Sequence, residues 1–279
     1  MCGAFVYVYI GGYRHRLMGG GIEAAGIGEL IARRPDLGTR YNVRPTQDIV
    51  IIVNEDGRPV AKPMRWGLIP SWAKTGTGAG KLPRNTFNAR DDRLASSGMW
   101  RGPFKRSRGV VPATGFFEWK KAGGTKQPMY ITPKDDRGFL FAAVYDSWIN
   151  EHGETVDSCA IVTTAPNQFM SEIHDRMPAI LDEETVALWL DPATTEAESL
   201  QPVLTPSPGE SLQAHPVSTR VNSYKNDDAG LIVPATAPDL ASIPARAPHS
   251  APGAAPAPEQ LGFHGSVSSS TNNPGRSDR

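Results

Sequence analysis

Short runs rich in Val, Ile, Phe and Tyr recur along the first 234 residues. Residues 3–9, 48–53, 108–111, 115–120, 127–132, 138–148, 158–164 and 212–217 read as strands on this pattern. A period near 3.6 predicts helices over 21–34, 89–99, 166–174 and 183–190. Asp182 is placed to cap the last of these, and Glu183 and Glu184 fill its first turn. Strands outnumber helices and do not alternate regularly with them. The expectation is therefore an α+β fold: one domain built on an antiparallel, barrel-like sheet with flanking helices.

After Pro234 the pattern disappears. Residues 235–279 are dominated by Ala, Pro and Ser, and their only sizeable apolar side chains are Leu240, Ile243, Leu261, Phe263 and Val267. Such a segment buries too little surface to offset its ordering entropy, so residues 1–234 are expected to form the domain and 235–279 a disordered tail.

Composition adds exclusions. Across 279 residues, 29 Lys and Arg balance 29 Asp and Glu, so no global field steers the chain toward polyanions or membranes. Two cysteines make no disulfide scaffold, and no leader segment is visible. The longest apolar stretch, 139–145, falls far short of the ~20 residues needed to span a bilayer. A soluble, cytoplasmic, monomeric protein is expected, with no metal and no cofactor, since no metal-ligand spacing or dinucleotide glycine pattern occurs. Charge is uneven locally: residues 81–108 carry eight basic side chains against Asp91 and Asp92. Together with Trp66 and Trp72 just upstream, such a stripe suits single-stranded nucleic acid, although a solvated charged face and a core tryptophan are the commoner outcomes.

The most informative residue is Cys2. Loss of Met1 would leave an α-amine and a thiol on one residue. With a reference pKa of about 7.7 to 8.0, about a quarter of that amine is neutral near pH 7.4, whereas a lysine offers about a thousandth. An aldehyde captured by the amine as an imine then meets the thiol within the same residue, and ring closure to a thiazolidine gains the effective molarity of an intramolecular attack. A chance cysteine on a frayed end is the plainer alternative.

Three further side chains stand out. Glu118 lies within the aromatic run Phe116-Phe117-Glu118-Trp119, where desolvation would raise its pKa, unless it faces solvent beside Lys120. His174 sits at an expected helix end, where a capping role competes with catalysis. Asn88 precedes an expected helix and competes likewise with an N-cap. Cys159 lies on an apolar strand and reads as a buried hydrophobe.

These pieces together resemble the SRAP family (SOS response-associated peptidase, or abasic site processing proteins). The resemblance rests on Met1-Cys2-Gly3, the segment Tyr41-Asn42-Val43-Arg44-Pro45-Thr46-Gln47, residues 66–74, Phe87-Asn88-Ala89-Arg90, residues 111–119, residues 173–178, and 216–234 with its Val221-Asn222 and Asn226-Asp227-Asp228, all in the family's order. It implies a protein that binds single-stranded DNA at an abasic site and joins it covalently through Cys2. It further implies Glu118 as general acid and base, His174 as an aid to opening the deoxyribose, and Asn88 as a hydrogen-bonding neighbour. Arg90 and Arg176 would hold phosphates, Pro45 and Trp66 would wedge against bases, and peptidase-like self-processing would accompany this activity. Ala4 departs from the family's usual arginine, and residues 8–20 and 76–82 look expanded. Two rivals remain open at this point. One is an N-terminal-nucleophile glutamine amidotransferase, which also begins Met-Cys-Gly. The other is a non-covalent single-strand binder.

Overall fold

The computed structural model describes residues 2–9, 27–74, 85–122, 124–135 and 137–237. Most of the expected tail, the first part of the helix expected from residue 21, and most of both expanded connections lie outside them. The strands are β1 (Phe5–Tyr7), β2 (Arg40–Val43), β3 (Asp48–Glu55), β4 (Arg58–Trp66), β5 (Asn88–Arg90), β6 (Arg108–Ala113), β7 (Gly115–Ala122), β8 (Thr125–Pro133), β9 (Phe139–Ile149), β10 (Thr155–Thr164), β11 (Met177–Pro178) and β12 (Leu212–Pro216). The helices used below are α1 (Ile27–Arg33), α2 (Asp91–Leu94), α3 (Arg101–Arg106), α4 (Gln168–Ser171) and α5 (Glu183–Leu190).

Five of these strands close a barrel. Asp56 and Gly57, both at positive φ, turn β3 back onto β4 in full antiparallel register. β3 also pairs with β6, β6 with β9, and β9 with β10. The ring is completed by β10 lying parallel to β4, with Cys159 opposite Trp66. The expected antiparallel barrel therefore carries one parallel seam, and β5 adds a second parallel pairing on β10. A second sheet, in the order β12-β8-β7-β1-β2, leans on the barrel, and the chain passes from one sheet to the other between β6 and β7 at Thr114.

That crossing sets the position of the site. Side chains of β7 alternate between two cores. Phe116 packs with Phe5, Phe139 and Phe141 in the barrel cluster, while Phe117 joins Ala4, Val6, Tyr130 and Val217 beneath the second sheet. Each fully buried phenylalanine contributes roughly 1.5–3 kcal/mol, so the alternation strongly fixes the register of β7. Glu118 follows on the Phe116 face. Gly115 permits the crossing, because a Cβ there would lie 2.5 Å from the buried Tyr130 ring. Gly115→Ala is expected to cost about 1–3 kcal/mol through overpacking, read as a lower midpoint of denaturant unfolding.

The helices cover the outer barrel face, where Leu94, Phe104, Trp189 and Leu200 meet Ile52, Leu140 and Val162. α5 matches its expected span and is capped by Asp182, whose carboxylate accepts from Thr185 N in a reciprocal capping box. The helix expected over 89–99 is shorter. Ala89 and Arg90 belong to β5, α2 ends at Leu94, and a separate helix, α3, follows.

The basic stripe also resolves differently. Arg108 is buried, donating to the carbonyls of Phe104, Lys105, Trp189, Asp191 and Thr194, with its guanidinium 5.8 Å from the Trp189 ring. Its charge satisfies the C-terminal carbonyls of α3 and α5 and is not available to a phosphate.

Candidate active site

The chain start is laid along β7. Phe5 pairs with Phe116, and Phe117 N donates to Ala4 O at 3.0 Å, which leads Cys2 toward Glu118. Cys2 is buried, and its thiol lies 3.9 Å from Ala4 O. Burial pushes this thiol well above the usual cysteine range, and the nearby Glu118 charge pushes in the same direction. Ala4 faces the second-sheet core, so no phosphate contact arises from that position.

Asn88 approaches from β5. It is buried, and its Nδ2 donates to Cys2 O at 2.8 Å. It is not an N-cap, since α2 is flanked by Arg90 without a side-chain cap. Asn88 Oδ1 is buried and meets no hydrogen-bond partner among the described residues, a costly arrangement for a polar atom unless something else uses it.

Glu118 is only 1% exposed and does not face solvent beside Lys120, which instead pairs with Glu172 at 4.0 Å. Burial raises the Glu118 pKa above the ordinary carboxyl range, and the His174 charge partly offsets the rise. His174 lies three residues past α4, with its N–H donating to Met170 O. Its Nε2 sits 3.9 Å from Glu118 Oε2, and its Nδ1 accepts from Arg176 N at 3.1 Å. The helix-end reading is thus replaced by a ring aimed at a buried carboxyl. Cys2, Asn88, Glu118 and His174 come together from four separate segments.

The expected DNA contacts divide. Arg176 Nη2 pairs with Asp91 at 2.6 Å and also donates to Thr163 O, while its buried Nε finds no acceptor among the described residues. Arg90 is exposed and held by Asp92 at 2.8 Å. Pro45 is half-buried at a turn in which Thr46 takes a φ of 78°, an uncommon conformation for a β-branched residue. Trp66 does not fit the wedge role. It is fully buried, its ring 5.2 Å from Phe5 and 5.9 Å from Phe87, with Nε1 donating to Phe87 O. A base has no face of it to touch. The exposed aromatic in that loop is Trp72, at 62%.

Comparison with known proteins agrees with this architecture. The family model described as SOS response associated peptidase (SRAP) matches residues 1–224. The chain is 40% identical over 193 residues to a Bacillus subtilis protein named abasic site processing protein YoqW, covering 69% of this chain and 84% of that one. It is 36% identical over 192 residues to the chicken abasic site processing protein HMCES, of whose length it spans 56%. A crystal structure of a Bacteroides thetaiotaomicron protein superposes with a TM-score of 0.67 at 30% identity, over 78% of this chain and 93% of that one. The order of the motifs, the barrel that draws them together and a match running over most of the domain converge on one assignment: the chain belongs to the SRAP family.

Proposed function

We propose that this protein processes abasic sites in single-stranded DNA, capturing the lesion covalently through Cys2 once Met1 has been removed. The observation that carries the reading is the grip of Asn88 on the Cys2 carbonyl beside the Glu118–His174 pair. A residue that only ends a chain has no need of a buried amide to orient it or of a proton-exchanging carboxyl at its side.

The chemistry follows from the groups present. The free α-amine of Cys2 adds to the ring-opened sugar aldehyde, and the carbinolamine loses water to give an imine. That loss needs an acid, and burial keeps the Glu118 carboxyl protonated to higher pH than usual. The Cys2 thiol then adds to the carbon of the protonated imine, whose nitrogen keeps its hydrogen, and the thiol proton leaves to the Glu118 carboxylate, closing a thiazolidine. A buried thiol that stays neutral is harmless to bystanders until this step. The same acid and base pair would serve self-removal of Met1.

For DNA, Arg90 and Arg176 are the phosphate-holding residues, and Pro45 abuts a neighbouring base. Trp72 takes the stacking role in place of Trp66. Trp72→Ala is expected to weaken binding to an undamaged single strand by about 1–3 kcal/mol, measured by fluorescence anisotropy at fixed salt.

The test of the function is direct. Incubating the full chain with a single-stranded oligonucleotide bearing one abasic site should give an adduct that survives heat and detergent. Extra residues placed ahead of Cys2 should prevent it, and a normal yield from that chain would refute the amine mechanism.

A further inference from the structure

His174 Nδ1 has two neighbours that make opposite demands. Arg176 N, at 3.1 Å, can only donate, so it requires a lone pair on Nδ1. The Asp175 carboxylate, whose Oδ1 lies 2.9 Å away, can only accept, so it requires a proton there. The opposite edge of the ring, Nε2, points at Glu118 Oε2. The ring lies between a carboxyl that is 1% exposed and an aspartate side chain that is 88% exposed.

We infer that Asp175 is a positioning residue for His174, stabilising one of its two tautomers so that the ring carries protons between buried Glu118 and solvent in both directions. In one state Nδ1–H donates to Asp175 and Nε2 is bare. Glu118 passes its proton to Nε2, Nδ1 releases its own to water beside Asp175, and the ring ends with a proton on Nε2 and Nδ1 accepting from Arg176 N. The reverse passage restores the first state. Every transfer swaps the tautomer, and each tautomer has its own partner on the Nδ1 side, so no ring flip is needed. Protons balance at each step: one leaves Glu118 as one reaches solvent. The inference rests on the proposed capture chemistry, in which Glu118 must carry a proton when the carbinolamine loses water.

Other charged groups around the ring are already engaged. Lys120 pairs with Glu172, and Arg176 pairs with Asp91. The Cys2 thiol is held neutral by burial. Arg90, held by Asp92, also feels the Asp175 charge, and the exposure of Asp175 makes its substitution compatible with folding.

The experiment compares wild type with Asp175→Asn and Asp175→Glu. Long-range nitrogen–proton NMR of the ring, in the absence of DNA, reads the tautomers of His174. Removing the carboxylate takes away the charged acceptor for Nδ1–H, so the Nδ1–H tautomer should lose about fivefold in population against Nε2–H in Asp175→Asn and regain it in Asp175→Glu. In the adduct assay the Asn variant should be about tenfold slower, while undamaged single strands bind no more weakly. Identical tautomer populations in wild type and Asp175→Asn would overturn the inference whatever the assay gives. Failure of wild type to form any adduct, with the tautomer shift intact, would instead overturn the capture reading and leave the tautomer assignment standing.

Discussion

Cys2→Ser is expected to reduce the heat-stable adduct to background while leaving an imine that borohydride traps. The substitution keeps the α-amine and replaces only the atom that closes the ring. A hydroxyl is the weaker nucleophile, and the five-membered ring it would form reopens, so the linkage stays at the imine stage and hydrolyses on heating. The measurement is a denaturing gel run with and without reduction. An unreduced, heat-stable band from the serine variant would show that the thiol takes no part. Folding should be little affected, because the Cys2 carbonyl rather than the thiol is what Asn88 holds.

Glu118→Gln is the second large effect. A positioned acid and base contributes about 10²- to 10⁴-fold, and glutamine can serve as neither, so adduct formation should slow by that range with undamaged-strand affinity unchanged. Stability should move the other way. A carboxyl whose folded pKa is raised supports the fold fully below its unfolded pKa, and this support is lost as pH rises through the raised folded value. Near neutral pH the buried carboxylate is therefore a liability that glutamine removes. The variant should melt at or above the wild-type temperature at pH 7.5, and the difference should shrink or reverse toward pH 4. A slow enzyme that is also less stable at pH 7.5 would mean that Glu118 holds structure rather than protons.

What local sequence reveals and what it hides divides along physical lines. The strands around Ile51, Phe116 and Ile161 were readable because apolar β-formers with a fixed face leave their mark within a few residues. The cap and span of α5 were readable for the same reason. Glu118 was legible as unusual from its aromatic neighbours alone. By contrast β4 leaves little local mark, since Pro59, Lys62 and Pro63 break its apolar pattern, although Asp56-Gly57 marks the hairpin that begins it. The strand role of Asn88 depends on pairing with Ile161, more than seventy residues away, which no local window contains. Trp66 faces inward because the parallel seam sets it opposite Cys159. Arg108 looked like part of a cationic face because five carbonyls scattered between residues 104 and 194 are what claim it.

The laying of the chain start along β7 has a consequence for timing at the ribosome. Cys2 cannot take its place until Glu118 and its flanking residues have been made, and at about 5–20 residues per second that is roughly 6 to 23 seconds after residue 2 is synthesised. Throughout that interval the segment ahead of β1 is without the Glu118 carboxyl, so no proton transfer by the site can reach it. The chain start and its acid and base thus come together only when β7 pairs with β1, which ties chemistry at Cys2 to the completion of that sheet.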